Sequence, residues 1–244
     1  MRLCADAGIG ANGRPPVTLR GRVLSWAAAG LLWPAWAQGQ VGGSIGVDSD
    51  YRFRGVSLSG EKPDLRLSLS FDHDSGPYAL YAGLTATGVE LERDKRLASL
   101  QGYAGISGGA GDGWRWEAGA TATRALGDSR YDYAEAYAGL LGEAWSLRLY
   151  FAPDYFGSGR RTAYAEFETG WALAAAWRLA AHGGVLQQQR AGRRVDLRLG
   201  VVYQAAAGVA LQLAWVAASE GDGTVPGLYE QRRSAVLLGA AYAF

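Results

Sequence analysis

From Val41 to the C-terminus, hydrophobic and polar residues alternate one by one in short runs, the period of a strand with a single apolar face. Leu65, Leu67, Leu69 and Phe71 alternate with Arg66, Ser68, Ser70 and Asp72. The pattern returns at Trp145, Leu147, Leu149 and Phe151, at Val195, Leu197, Leu199 and Val201, and at Val209, Leu211, Leu213 and Trp215. No segment in this part of the chain sustains helical spacing. Breakers between the runs predict twelve strands, over about 41–55, 63–73, 78–88, 97–107, 114–124, 131–141, 145–155, 161–171, 175–188, 194–205, 209–219 and 233–244. The connections differ in character by turns. One set is compact, as at 74–77, 108–113, 142–144 and 206–208, and the other is longer or more charged, as at 90–96 and 220–230. Short turns at one rim and longer polar loops at the other predict a transmembrane antiparallel up-and-down β-barrel of the bacterial outer-membrane type. An even strand count puts both termini on the short-turn, periplasmic rim.

Alternation alone does not separate a barrel from a soluble sandwich, which also has one apolar and one polar face on each strand. The C-terminus does. Val236, Leu238, Ala240, Tyr242 and the terminal Phe244 share one face of the last run, the pattern that outer-membrane proteins present to the barrel-insertion machinery. Threaded onto the twelve strands, Phe71, Tyr78, Trp114, Trp145, Trp171, Trp177, Tyr203, Tyr242 and Phe244 gather outward near the short-turn rim. That is an aromatic girdle.

Composition narrows the classes further. Of 244 residues, 49% are hydrophobic and 36 are glycine, which disfavours disorder. No run of about 18 apolar residues is present to cross a membrane as a helix. With a formal charge of +1 and only Lys62 and Lys95 as lysines, no basic block exists to neutralise phosphates, so no nucleic-acid partner is expected. The first residues read as an export signal. Arg2, Arg14, Arg20 and Arg22 precede the apolar stretch Val23 to Trp33, and Ala35 and Ala37 supply the small residues of a cleavage site. Residues 1–37 are therefore expected to be a cleaved signal peptide and 38–244 a single barrel domain. The leader carries a net +3, so the formal +1 of the whole becomes −2. Cys4, the one cysteine, leaves with the leader, which rules out a disulfide or thiolate chemistry in the mature chain.

The segment that opens the mature chain, Ser49-Asp50-Tyr51-Arg52-Phe53-Arg54-Gly55-Val56-Ser57, resembles the start of the TorF family of porin-like bacterial proteins. In that family Ser-Asp-Tyr, an aromatic, Arg-Gly and a Ser are followed by a Pro, an apolar strand and a hairpin. Pro63 and Gly76-Pro77-Tyr78 stand where those last features fall. The resemblance covers roughly residues 41–90, and it implies an outer-membrane, porin-like barrel.

Turning the aliphatic face to lipid leaves Asp48, Asp50, Arg52, Arg54, Arg66, Asp72, Arg115, Glu117, Glu135, Arg148, Glu166, Glu168, Arg178, Asp196 and Arg198 facing the lumen. Such a mixture of acids and bases holds water and sets a field across a narrow diffusion channel. The expected function is a porin-like channel for small polar or charged solutes, with Asp50, Arg52 and Arg54 singled out for a role in it. The same charges could instead pair and plug a small barrel that serves as an anchor. A barrel enzyme acting on lipid would need a nucleophile beside His73 or His182; His73 falls at the periplasmic rim, whereas a lipid acyl hydrolase works nearer the outer leaflet, and His182 has no Gly-x-Ser-x-Gly segment nearby. Glu166 and Glu168, two apart on a strand face, arise in acid-rich lumens without catalysis. Neither a soft-metal cluster nor, at Asp222-Gly223-Thr224, the spaced acids of a calcium loop can be assembled, so no cofactor or metal is expected. The expected partners are outer-membrane lipid, the insertion machinery and small polar solutes.

Overall fold

A computed structural model describes residues 39–92, 95–109, 113–219 and 232–244; the expected leader lies outside the described residues. Twelve strands among them close into one antiparallel barrel. In chain order they are β1 (Gly39–Asp48), β4 (Asp64–Ser75), β5 (Tyr78–Glu92), β6 (Lys95–Gly109), β7 (Arg115–Leu126), β8 (Tyr133–Leu141), β9 (Trp145–Ala152), β10 (Thr162–Ala174), β11 (Trp177–Gln188), β12 (Gly192–Ala206), β13 (Val209–Ala218) and β14 (Ser234–Ala243). Two further strands of two residues, β2 (Arg52–Phe53) and β3 (Val56–Ser57), form a separate hairpin. Each barrel strand pairs with its neighbour in sequence, and β1 closes the ring on β14 with Ser44 opposite Ala243 and Asp48 opposite Gly239. Closure leaves the barrel without a free sheet edge, as membrane-spanning β-structure requires.

Alternation decides the two faces. On β14, Val236 and Leu238 are 65% and 61% exposed, whereas Leu237 between them is 5% exposed. The same outward band carries Leu65, Leu67 and Leu69 on β4, Leu147 and Leu149 on β9, and Leu197 and Leu199 on β12. Near the short-turn rim it ends in exposed Tyr78, Trp145, Trp171, Trp177, Tyr242 and Phe244. A closed sheet that shows its aliphatic side chains outward and its charges inward is a membrane barrel.

Inside, several tyrosines lie flat over glycines of an adjoining strand. A Cβ on Gly83 would collide with the Tyr103 ring, one on Gly105 with Tyr81, and one on Gly119 with both Tyr137 and the Ala104 carbonyl. Glycine opposite tyrosine lets a small barrel hold large side chains without widening.

Eleven of the twelve strands begin and end within four residues of the limits predicted from sequence. The exception is the first. Predicted to run to about residue 55, it ends at Asp48, and residues 49–63 turn into the barrel. The cause is local. Ser49 caps the turn by accepting the Leu238 N–H (3.0 Å), and Arg54 and Gly55 both take positive φ, +50° and +78°, which no strand continues through.

Candidate functional site: the barrel lumen

The inward segment is a folded unit with its own hub. The Asp50 carboxylate accepts hydrogen bonds from Arg52 Nε (2.7 Å), Ser57 Oγ (2.5 Å) and Ser59 Oγ (3.1 Å). The Tyr51 N–H donates to Ser59 Oγ and the Leu58 N–H to the Tyr51 carbonyl. All of these residues are buried. Positive φ at both central residues of the β2–β3 turn is the geometry of a tight primed hairpin, which normally selects Asn or Gly. Gly55 meets that demand. It is also required by space, because a Cβ there would lie 2.7 Å from Ala218 Cβ and 2.8 Å from Asp196 Cβ.

Arg54 meets the demand at a steric cost offset by its contacts. Its two terminal nitrogens donate to the two carboxylate oxygens of Glu135, each at 2.8 Å. Its guanidinium carbon stands 4.2 Å from the Tyr164 ring centroid, 4.7 Å from Phe53 and 5.0 Å from Tyr150. A planar, bidentate cation enclosed by aromatic faces is the strongest pairing available to this side chain. The partners also locate the tip. Tyr150 lies on β9, six strands round a ring of twelve from β1, so the hairpin leaves one wall and reaches the wall opposite. It crosses the lumen near the long-loop rim.

Two one-turn 3₁₀ segments pack beside it, Ser129–Tyr131 between β7 and β8 and Tyr155–Gly157 between β9 and β10. Tyr133, Tyr155 and Phe156 form a cluster with centroid separations of 4.4 to 5.2 Å, and Phe53 joins it edge-on to Phe156 at 6.5 Å. Burial pushes the Tyr155 hydroxyl up to about 12, so it stays neutral. Asp128 caps the first turn, pairing with Arg130 (2.6 Å) and with Lys95 (2.7 Å). These two cations, Arg130 first, hold its carboxyl well below the usual carboxylate range.

The predicted lumen residues separate into three groups. Asp50, Arg52 and Arg54 stand on the hairpin rather than on the first strand. Arg52 pairs with Asp50, reaches Glu61 at 3.4 Å and donates to the Arg232 carbonyl (2.8 Å), which ties the hairpin to the start of β14. Glu117, Glu135, Arg148, Glu166, Glu168 and Asp196 come together on the wall from β7 to β12. Arg148 pairs with Glu117 and approaches Glu166 and Glu168, both at 3.6 Å. His182 continues the chain, with Nδ1 3.5 Å from Glu168 and Nε2 2.8 Å from Asp196. Arg198 adds its charge to the field at Glu168 and Asp48.

The third group stands apart from that chain. Asp48 pairs with Arg66 at 2.8 Å on the other side of the ring. Arg115 donates to Ser107 (3.0 Å), Arg178 lies over Gly170, and Asp72 faces inward near the short-turn rim, opposite Tyr81.

Sequence reasoning missed the tyrosines that knit the charged wall. Tyr137 donates to the Tyr81 hydroxyl (2.8 Å), Tyr81 to Glu117 (3.0 Å), Tyr150 to Glu166 (3.0 Å) and Tyr164 to Asp196 (3.2 Å). For Tyr81, Tyr137 and Tyr164 the signal was inward parity combined with glycine on a neighbouring strand. Away from this network, the inward positions from Gly83 to Val89 on β5, Leu97 to Gly105 on β6 and Gly119 to Ala125 on β7 carry no charge. Among the described residues no group of three His, Cys, Asp or Glu is placed to hold a metal ion.

Known proteins resemble this chain in fold. The COG4313 outer membrane channel from Pseudomonas putida F1 superposes with a TM-score of 0.53 at 13% identity, over 89% of this chain and 99% of that one. A protein solved in a study of the in-meso crystallization of membrane proteins gives 0.55 at 8% identity, over 84% and 83%. The KdgM porin gives 0.48 at 10% identity, over 84% and 98%. No curated protein matches by sequence. Residues 35–240 match the model of a bacterial protein family of unknown function, Gcw_chp, and the chain belongs to that family.

Proposed function

We propose that the protein is a porin-like channel of the bacterial outer membrane, passing small polar or charged solutes by diffusion and constricted in the described state by the 49–63 hairpin. One observation carries this reading: charged and hydroxylated side chains line the inside of a barrel whose outside is aliphatic. Wall charges that pair mostly along the wall leave a water-compatible interior. The likeness in fold to an outer membrane channel and the TorF-like opening segment support the same reading. Lipid meets the aliphatic band, and β14 together with the terminal Phe244 that follows it is the proposed recognition element for barrel insertion. A second reading, a permanently plugged barrel that anchors its loops, is favoured by the hairpin's passage across the whole lumen.

Planar-bilayer recording on residues 38–244, refolded in detergent and checked for heat-modifiable gel mobility, separates the two. Removal of residues 51–60 from a channel raises conductance over that of the unaltered chain, and Arg198→Ala shifts its ion selectivity. Silence from both the intact and the shortened barrel overturns the channel reading in favour of the plug.

A further inference from the structure

Cations at the long-loop rim fall into two sets. Lys62, Lys95, Arg96, Arg130 and Arg232 each stand within 3.3 Å of a carboxylate oxygen. Arg160, Arg161, Arg190 and Arg193 are all exposed, and among the described residues none of them has an ion pair. The neighbouring acids are engaged elsewhere: Asp154 accepts the Gly159 N–H (2.7 Å), and Asp196 faces the lumen toward His182.

These four arginines come together because their turns do. The connection from β9 to β10 and the turn from β11 to β12 are bonded side by side, the Gln189 N–H donating to the Arg161 carbonyl (2.9 Å) and Gln188 Nε2 to Ser158 Oγ (3.3 Å). Gln187 Nε2 closes the second turn on the Gly192 carbonyl (3.0 Å). Arg190 holds its tip at a φ of +63°, where glycine or asparagine would fit with less strain. Register puts Phe151, Ala163, Gln187 and Arg193 in one outward row, with Arg161 one row nearer the loops. The next row toward the bilayer, Leu149, Ala165, Val185 and Val195, is wholly apolar. The arginines therefore stand at the outer edge of the aliphatic band, with Arg161 and Arg193 two strand spacings apart, about 10 Å in that direction.

We infer that this patch binds the phosphate groups of a phosphorylated glycolipid in the outer leaflet. Just beyond the hydrocarbon, a long cationic side chain reaches headgroup phosphates while its stem stays on apolar surface. Each guanidinium donates two parallel bonds to a phosphate, and here no protein carboxylate competes for them. The inference rests on the outer-membrane reading but not on conduction.

The mature chain, refolded in an uncharged detergent, is titrated with diphosphoryl lipid A and with the same lipid stripped of phosphate, and bound lipid is counted by native mass spectrometry. The diphosphoryl form is expected to bind at least tenfold more tightly. A basic residue beside an anionic surface is worth about fivefold, so Arg161→Gln combined with Arg193→Gln should weaken that lipid at least tenfold. Arg130→Gln, at a cation already paired, should change it less than twofold. The inference is overturned if the stripped lipid binds as tightly, if the double variant binds like the unaltered chain, if Arg130→Gln weakens binding as much, or if inorganic pyrophosphate at equal concentration displaces the lipid, which would mark a site for soluble anions. A heat-modifiable barrel that fails to enter lipid vesicles sinks the membrane reading itself; one that enters them yet binds lipid A without regard to Arg161 and Arg193 sinks only this inference.

Discussion

At the scale of the residue, Arg54 bears the most. It adopts a left-handed backbone that favours glycine, yet it joins the hairpin to Glu135 through two bonds in a buried setting. Removing one partner of such a pair leaves the other charge buried and unmatched, a loss of about 3–5 kcal/mol. Arg54→Ala is therefore expected to undock the hairpin while leaving the ring of strands closed. Amide exchange should accelerate across residues 50–60 with no change in heat-modifiable mobility; a hairpin as protected as before contradicts the assigned role. Arg54→Lys, which keeps the charge but not the fork, should fall between. Asp128 offers a test by pH. Its folded-state pKa is lowered by Arg130 and Lys95, so its contribution is complete above the unfolded value of about 3.9 and disappears as pH falls toward the lowered one. A carbon-detected titration should give a midpoint below the ordinary Asp range that rises in Lys95→Ala. A midpoint near 4 in both forms would remove the ion pair from the account.

Among elements, the informative contrast is between adjacent positions of one strand. On β12, Leu199 points to lipid at 49% exposure while Arg198 points to the lumen beside His182 and Glu168. Leu199→Arg is expected to destabilise the folded barrel by roughly 2–4 kcal/mol if its level lies near the bilayer midplane, because the charge meets hydrocarbon. Arg198→Ala should change folding little and ion preference measurably. Equal destabilisation of the two variants in urea titrations from lipid vesicles would mean that the faces are assigned the wrong way round. The hairpin is an element of another kind. Its register comes from Asp50 and two serines rather than from a long ladder, so it can be altered without disturbing the strands that surround it.

For the whole molecule, closure is the governing fact, and the seam between β1 and β14 is its shortest join. Pairing there runs from Ser44 to Asp48, whereas β1 pairs with β4 over its full length from Gly39 to Asp48. Phe244 extends the seam, its N–H donating to the Gly43 carbonyl (2.9 Å) and its carbonyl accepting from the Gly43 N–H (3.0 Å). Each such bond contributes about 0.5–1.5 kcal/mol net. Deleting Phe244 is thus expected to lower the temperature at which the folded band converts to the unfolded one on gels, by an amount that matches the loss of two backbone bonds. An unchanged conversion temperature would show that the seam is not where the barrel opens.

Much of this was legible in the sequence, for a physical reason. Lipid and water demand opposite surfaces on a strand with a period of two, so the strand count, the outward band, the girdle and the inward parity of Glu117, Arg148, Glu166 and Asp196 follow from alternation that is local in the chain. The fate of Asp50, Arg52 and Arg54 does not. The run Asp48-Ser49-Asp50-Tyr51-Arg52-Phe53 also alternates, and what turns it inward is the match of Arg54 with Glu135 and Tyr164, residues 81 and 110 positions away, and the fit of Gly55 against Asp196 and Ala218. The division of the lumen into a charged wall and a neutral one was equally hidden. It depends on which strands become neighbours once the ring closes, and no single strand carries that information. Sequence determined the barrel and its two faces, because the environment acts on each residue separately; tertiary structure decided what crosses the lumen, because that depends on contacts between opposite walls.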